Sequence, residues 1–168
     1  LLLLSITALA SAQSISKQDV RNLMDDRDTE IKQLVGPEGT QLSSAQRDQL
    51  HDIINDIIDY NAMAKIALQD TYNTISDEQR EEFVRLFSSI IRDQSLNNLD
   101  IYRAEVTYDD ILINGNSAIV KTTATLKNVR TPVSYNVEKR GSEWFITDMA
   151  IDNVSTAESY RRSFQNMI

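Results

Sequence analysis

Apolar residues recur at helical spacing through the front of this chain and at every second position through its back. Ser16 is placed to cap a helix over 17–35, where Val20, Leu23, Ile31, Leu34 and Val35 form a stripe broken by Asp25-Asp26-Arg27-Asp28. Gly36-Pro37 ends it, as a capping glycine followed by proline does. Ser43-Ser44-Ala45-Gln46 has the spacing of a capping box, and the helix behind it carries Leu50, Ile53, Ile54, Ile57 and Ile58 on one face. A bend and a short helix with Met63, Ile66 and Ala67 follow, over 60–68. Ser76-Asp77-Glu78-Gln79 is a second capping box. Behind it Phe83, Leu86, Phe87, Ile90 and Ile91 keep the i, i+3, i+4, i+7, i+8 rule, with acids in the first turn.

From Tyr102 the period becomes two. Val106 and Tyr108 alternate with Glu105 and Thr107, and beyond Asp109-Asp110 the apolar set moves by one residue to Ile111 and Ile113, which predicts a bulge. Asn114-Gly115-Asn116 is a hairpin turn. Strands follow with Val120, Thr122, Ala124 and Leu126, then with Val133, Tyr135 and Val137. Arg140-Gly141-Ser142 turns the chain into Trp144-Phe145-Ile146 and on to about Ile151. A last helix is expected after Ser155, with Tyr160, Phe164 and Ile168 on one face. The fold expected is α+β: helices over 16–98 cover the apolar face of a twisted antiparallel sheet over 102–152, and a helix over 155–168 closes it.

At 168 residues the chain suits one domain with its own core, expected over 13–168. The run Leu1 to Leu9, followed by Ala10-Ser11-Ala12, fits the apolar segment and small-residue cleavage site of a secretory signal peptide. Residues 1–12 are therefore expected to be its remnant; a buried first helix or a short anchor is the alternative. The apolar run is too short to cross a bilayer.

Charge and composition remove several functions. A net charge of −8 with scattered Lys and Arg is the reverse of the basic stripe that nucleic acid requires. It also lacks the basic cluster that holds a protein to anionic membrane. With no cysteine there are no disulfides, thiolate nucleophiles or Cys-ligated metals. His51 is the one histidine, on a helix between Leu50 and Ile53, and it reads as structural or surface; no two-histidine metal site is possible. No nucleophile elbow, P-loop or dinucleotide fingerprint is present. The acid groups Asp25-Asp26-Arg27-Asp28, Asp109-Asp110 and Asp148 with Asp152 read as solvated faces or turns. No catalytic residue, metal ligand or cofactor is assigned. The chain is rich instead in large apolar faces, which an ordinary core explains as well as a cavity does.

Four segments, in order across about Ile31 to Ile168, resemble the toluene-tolerance (MlaC) family of periplasmic lipid-binding proteins. Ile57-Ile58-Asp59-Tyr60-Asn61-Ala62-Met63-Ala64-Lys65-Ile66-Ala67-Leu68 is similar to the family's hydrophobic helix that ends at an aspartate and an aromatic residue. Ser76-Asp77-Glu78-Gln79-Arg80-Glu81-Glu82-Phe83-Val84-Arg85-Leu86-Phe87 is similar to its "T-x-x-Q-R-x-x-F-x-x-x-F" helix. The stretch from Trp144 to Ser155 resembles "W-x-V-x-D-(V/M)-x-x-E-G-V-S", and Tyr160-Arg161-Arg162-Ser163-Phe164 resembles "Y-R-x-x-F". Asp152-Asn153 stands where the family has Glu-Gly, and the family's tail after the last helix is expected to lie beyond residue 168.

The resemblance implies a curved sheet of the nuclear-transport-factor type (NTF2-like) wrapped by helices, with an apolar cleft between them. Acyl chains of a phospholipid would enter that cleft, and no other cofactor is needed. On this reading the wall comprises Ile57, Tyr60, Met63, Ile66, Leu86, Ile90, Val106, Val120, Tyr135, Val137, Ile146, Val154 and Tyr160. Val154 is the sharpest of these, since it stands in the matched "V-S" and is expected to begin the closing helix. Implied partners are an inner-membrane ABC permease complex with a lipid-binding periplasmic ring and an outer-membrane lipoprotein–porin complex, in the periplasm. The competing readings are a secreted enzyme on a similar sheet and an adaptor that binds only proteins.

Overall fold

The helices begin where side chains satisfy their first N–H groups. In the structure, a computed structural model that describes residues 15–165, α1 (Lys17–Val35), α2 (Ser44–Ile57), α3 (Tyr60–Leu68), α4 (Asp70–Thr74) and α5 (Asp77–Leu96) follow in order. Ser16, Ser43 and Ser76 each close a reciprocal capping box, with Asp19, Gln46 and Gln79 bonding back to the serine N–H. Asp59 starts α3 by accepting from the Ala62 N–H at 2.9 Å. The short α4 and a 3-10 turn over Leu99–Arg103 had no periodic signal to announce them. Residues 1–12 and Ile168, on which the signal-peptide and last-turn expectations fall, lie outside the described residues.

The back half is a five-stranded antiparallel meander in the order β1 (Glu105–Asn114), β2 (Ser117–Leu126), β3 (Val129–Arg140), β4 (Glu143–Ile151) and β5 (Val154–Ser155). The bulge expected in β1 is there: the register with β2 shifts between Tyr108 and Asp110. A second register shift, between Asn136 and Val137 of β3, leaves Thr147 of β4 as the extra residue. Two-residue loops join the strands. Gly115 and Gly141 open two of them at positive φ, while Lys127-Asn128 and Asp152-Asn153 take positive φ at both positions. Asp152-Asn153 therefore does the work that Glu-Gly does elsewhere, since Asp and Asn tolerate the left-handed region.

One sheet face meets the helices. Cross-strand pairs Ile111↔Val120, Val120↔Tyr135, Ala118↔Val137 and Val137↔Ile146 place the inward side chains in rows. These pack with Leu50, Ile54 and Ile57 of α2, Met63, Ala64 and Ala67 of α3, and Phe87 and Ile91 of α5 in one continuous core. The opposite face carries Lys121 and Thr123, with Leu112 and Ile119 exposed side by side. Last comes α6 (Thr156–Gln165), which returns across α3 and the end of β4.

Candidate functional site

The region where α3, α5 and α6 meet the sheet holds most of the residues expected on the cleft wall, and Asp148 fixes its geometry. This carboxylate is buried. Its Oδ2 accepts from the Ser155 hydroxyl at 2.6 Å and its Oδ1 from the Ala157 N–H at 3.2 Å, while Ser155 Oγ accepts from the Glu158 N–H at 3.0 Å. Two orphan donors of α6 are thereby satisfied, and a negative charge sits at the positive end of the helix. The expectation that Asp148 is a solvated face or turn residue is corrected: it is buried, with its carboxylate tied to the start of α6. A readable signal was present in Ser155-Thr156-Ala157-Glu158, which has capping-box spacing. Glu158 itself turns to Arg161 instead of the cap.

So anchored, α6 lays Tyr160 and Phe164 against α5. Tyr160 meets Phe87 edge-on at 5.1 Å, Phe164 meets Phe83 edge-on at 5.6 Å, and Phe83 stacks on Phe87 at 5.4 Å. The Tyr160 hydroxyl closes the seam by donating to Gln94 Oε1 at 3.0 Å. Leu86 and Ile90 lie along the same side of α5 by helical spacing, and both are exposed, leaving an apolar rim beside the seam.

The structure brings together Ile57, Tyr60, Met63, Val120, Val137 and Ile146 as buried members of the core, with Tyr135 and Tyr160 packed against it. Val106 is half-buried on the same sheet face, paired with Ala124. Ile66, Leu86 and Ile90 are exposed on the helices rather than enclosed. Val154 is corrected most: it lies in β5 opposite Ile151, 45% exposed, and α6 starts two residues later. A charge placed there would reach water. Ile111, Phe87 and Thr122 belong to the same layer, although the sequence reading, which placed them on apolar faces, did not assign them to the wall; Thr122 satisfies its hydroxyl on the Val133 carbonyl at 2.9 Å.

The apolar cleft expected between the layers is closed in this structure. Met63, Val120, Val137 and Phe87 fill it, each with essentially no exposed surface. Two cavities that open on the described surface lie elsewhere. One of about 450 Å³ sits between the end of α1 and the β1–β2 ends, with Lys32, Glu38, Asp100, Arg103 and Lys127 on its wall. Its charges are already matched: Lys127 pairs with Glu38 at 2.6 Å, and Arg103 with Asp100 at 2.6 Å. Another of about 340 Å³ runs past Arg47 and Asn97-Asn98. Charged and polar groups stand on the walls of both.

Phenols gather on the inner layer. Burial pushes the Tyr60 hydroxyl up to about 12, against the opposing pull of the Arg92 charge. Burial, reinforced by the Asp28 charge, takes Tyr135 up to about 12 as well. Tyr102 is raised by burial, and Tyr108 by burial and then by its hydrogen bond to Asp25. All four rings are therefore neutral at ordinary pH. His51 is half-buried on α2 and pairs with Asn55 at 2.9 Å. Among the described residues no three His, Cys, Asp or Glu side chains gather as a metal site would require, and no helix is long and apolar enough to cross a membrane.

A model of the MlaC protein family matches residues 26–168. The chain belongs to the MlaC family. The matched stretch takes in most of α1, all the later helices and the whole sheet. Among solved structures, the fold is similar to that of the phospholipid-binding protein from Ralstonia solanacearum, determined in complex with a phospholipid. The TM-score is 0.69 at 21% identity, over 89% of this chain and 85% of that one. A likeness at that identity establishes the shared fold of helices on a curved five-stranded sheet. No curated protein matches this chain.

Proposed function

We propose that this protein binds phospholipid between its sheet and helices and carries it through the periplasm. The supporting observation is membership of the MlaC family over residues 26–168, joined to a fold shared with a protein that was solved holding a phospholipid. The physical case is simple. Each methylene taken from water contributes about 0.8 kcal/mol, so a two-chain lipid crosses an aqueous space only inside an apolar enclosure. Such carriage needs no nucleophile, metal or cofactor beyond the lipid itself.

On this reading the wall is the buried set Ile57, Tyr60, Met63, Val120, Tyr135, Val137 and Ile146, and the closed core is the lipid-free state. Acyl chains enter by parting α6 and α5 from the sheet, with Leu86 and Ile90 as the rim they cross first. An inner-membrane ABC permease complex and an outer-membrane lipoprotein–porin complex are the partners between which the protein shuttles. Direction comes from the energy-coupled partner, since a carrier alone only exchanges its cargo.

The test is chemical extraction. Purified protein, extracted with organic solvent and read by mass spectrometry, is expected to yield diacyl phospholipid in stoichiometric amount. Protein that co-purifies with none, and takes none up from phospholipid vesicles, defeats the reading.

A further inference from the structure

The inner layer contains two buried polar atoms for which the described residues supply no partner: the Tyr60 hydroxyl and the Arg92 Nε. Buried donors are nearly always paired in folded proteins, so two orphans in one layer call for a cause. Tyr60 is not free to turn away. Asp59, one residue earlier, donates its N–H to the Ile146 carbonyl at 2.9 Å, caps α3 and is held by Arg140 at 2.6 Å. The phenol ring is thus fixed in the core at 8% exposure.

Arg92 stands apart from the other well-covered arginines. Arg80 is tied to the Tyr72 and Ile75 carbonyls, Arg103 to the Gly36 and Val35 carbonyls, and Arg161 to Glu158. Among the described residues Arg92, whose side chain is 17% exposed, has only its sequence neighbour Asp93 at 3.5 Å, too far for a good hydrogen bond. Its positive charge bears on the Tyr60 hydroxyl, and burial keeps that phenol protonated. Two donors, one of them cationic, thus come from α3 and α5 close enough for the Arg92 charge to act on the Tyr60 hydroxyl, and neither orphan atom has an acceptor among the described residues. The complement of such a pair is an anionic oxygen.

We propose that Tyr60 and Arg92 form a polar anchor for the phosphodiester of a bound phospholipid, donating to its oxygens where the acyl chains enter the apolar layer. This rests on the reading of the protein as a phospholipid carrier and adds to it a reason to discriminate. A guanidinium and a phenol recognise the phosphodiester common to phospholipids whatever the head group beyond it. A neutral diacylglycerol with the same chains offers them no charge.

The experiment is a competition on the full chain, delipidated and then offered equimolar phosphatidylglycerol and chain-matched diacylglycerol, with the bound lipids counted by native mass spectrometry. Wild type is expected to favour the phospholipid by about a hundredfold or more, and Tyr60→Phe and Arg92→Gln each to cut that ratio by roughly tenfold or more, the scale of one lost hydrogen bond to a charged group. If the wild-type ratio is near one, or both folded variants keep the wild-type ratio, the anchor is refuted while the carrier reading stands. Should wild type take up neither lipid, both fall together. Tyr60→Phe removes one hydroxyl and keeps the ring, so it decides the matter even if Arg92→Gln does not fold. Thermal melts of lipid-free protein give the second check. Tyr60→Phe is expected to melt at or above the wild-type temperature, whereas a clear drop would show that the hydroxyl serves the fold and would overturn the anchor.

Discussion

Replacing Asp148 by alanine should release the closing helix. The carboxylate accepts from the Ser155 hydroxyl at 2.6 Å and from the Ala157 N–H at 3.2 Å, both beneath α6 and away from water. A hydrogen bond to a charged group contributes about 1.5–3 kcal/mol, and a buried donor left without a partner costs about 1–3 kcal/mol. Against this stands the cost of burying the charge itself, which alanine removes. The net loss is placed at about 3 kcal/mol, above the roughly 0.5–2 kcal/mol of an ordinary lost helix cap because this one is charged and buried. For a chain of this size that corresponds to roughly 6–12 °C in Tm. Trp144 is the single tryptophan and lies on β4 four residues before Asp148, so its fluorescence follows the site directly in urea or heat. Asp148→Asn, which keeps one acceptor for the Ala157 N–H, should lose about half as much. In a double-mutant cycle with Ser155→Ala the two changes should fall short of additivity by roughly 1 kcal/mol or more, as members of one network do. A melting temperature for Asp148→Ala within 2 °C of wild type would refute the capping argument.

Other sites give independent tests. Asp59→Ala removes the α3 cap and the partner of Arg140, and should cost about 1–2 kcal/mol in urea denaturation, with Asp59→Asn recovering part of it as a competent cap. Tyr60 and Tyr135 are both raised to about 12 in the folded chain from an ordinary value near 10, so their neutral forms favour folding. Stability from this source is complete below about pH 10 and is lost as pH rises through 12. Melts across that window, with phenolate absorbance followed in parallel, should show the two tyrosines ionising only as the fold gives way. Val154→Glu puts a charge on an exposed edge residue, so stability should change by less than about 0.5 kcal/mol and lipid content should match wild type. Loss of lipid in a folded Val154→Glu protein would put that side chain back on the pocket wall.

What could be read from the sequence follows from how local each cause is. The Ser43 and Ser76 capping boxes, the α5 stripe, the β1 bulge and the Gly115 turn are set within a few residues, and each was legible. Ser16 as a cap and Gly36 as a stop fixed α1 at both ends. The short α4 and the 3-10 turn were not legible, because segments of five residues carry too little periodicity. The site was readable by class and not by residue. Alternation put Val120, Tyr135, Val137 and Ile146 on one face, and cross-strand register agrees. It could not tell that Leu86 and Ile90 would stay exposed while Phe87 and Ile91 were covered, because that depends on where α6 comes to lie. Asp148 was misjudged for the same reason, since it is covered by a helix that follows it in the chain. Arg92 reads in the sequence only as a cation near the end of the α5 helix: a single arginine among many becomes distinctive only when the other covered arginines are seen to be tied.

The closed core also limits how lipid could be taken up. An acyl chain entering between sheet and helices would replace protein–protein apolar contact with protein–lipid apolar contact. Little hydrophobic free energy is lost in that exchange, since both states keep Phe87, Val120 and Val137 from water. The resistance to opening would come instead from directional ties and ring packing along the seam: the Asp148 cap, the Tyr160–Gln94 bond, and the edge contacts of Tyr160 and Phe164. These are few and all belong to one ten-residue helix. A carrier needs this balance, because a rigidly preformed cavity would collapse or hold water when empty, while a core held shut on every side would never load. Weakening Tyr160–Gln94 with Tyr160→Phe, which keeps the ring packing, should therefore speed exchange of lipid with vesicles more than it lowers Tm. Equal exchange rates in the two proteins would mean that loading does not pass through the α5–α6 seam.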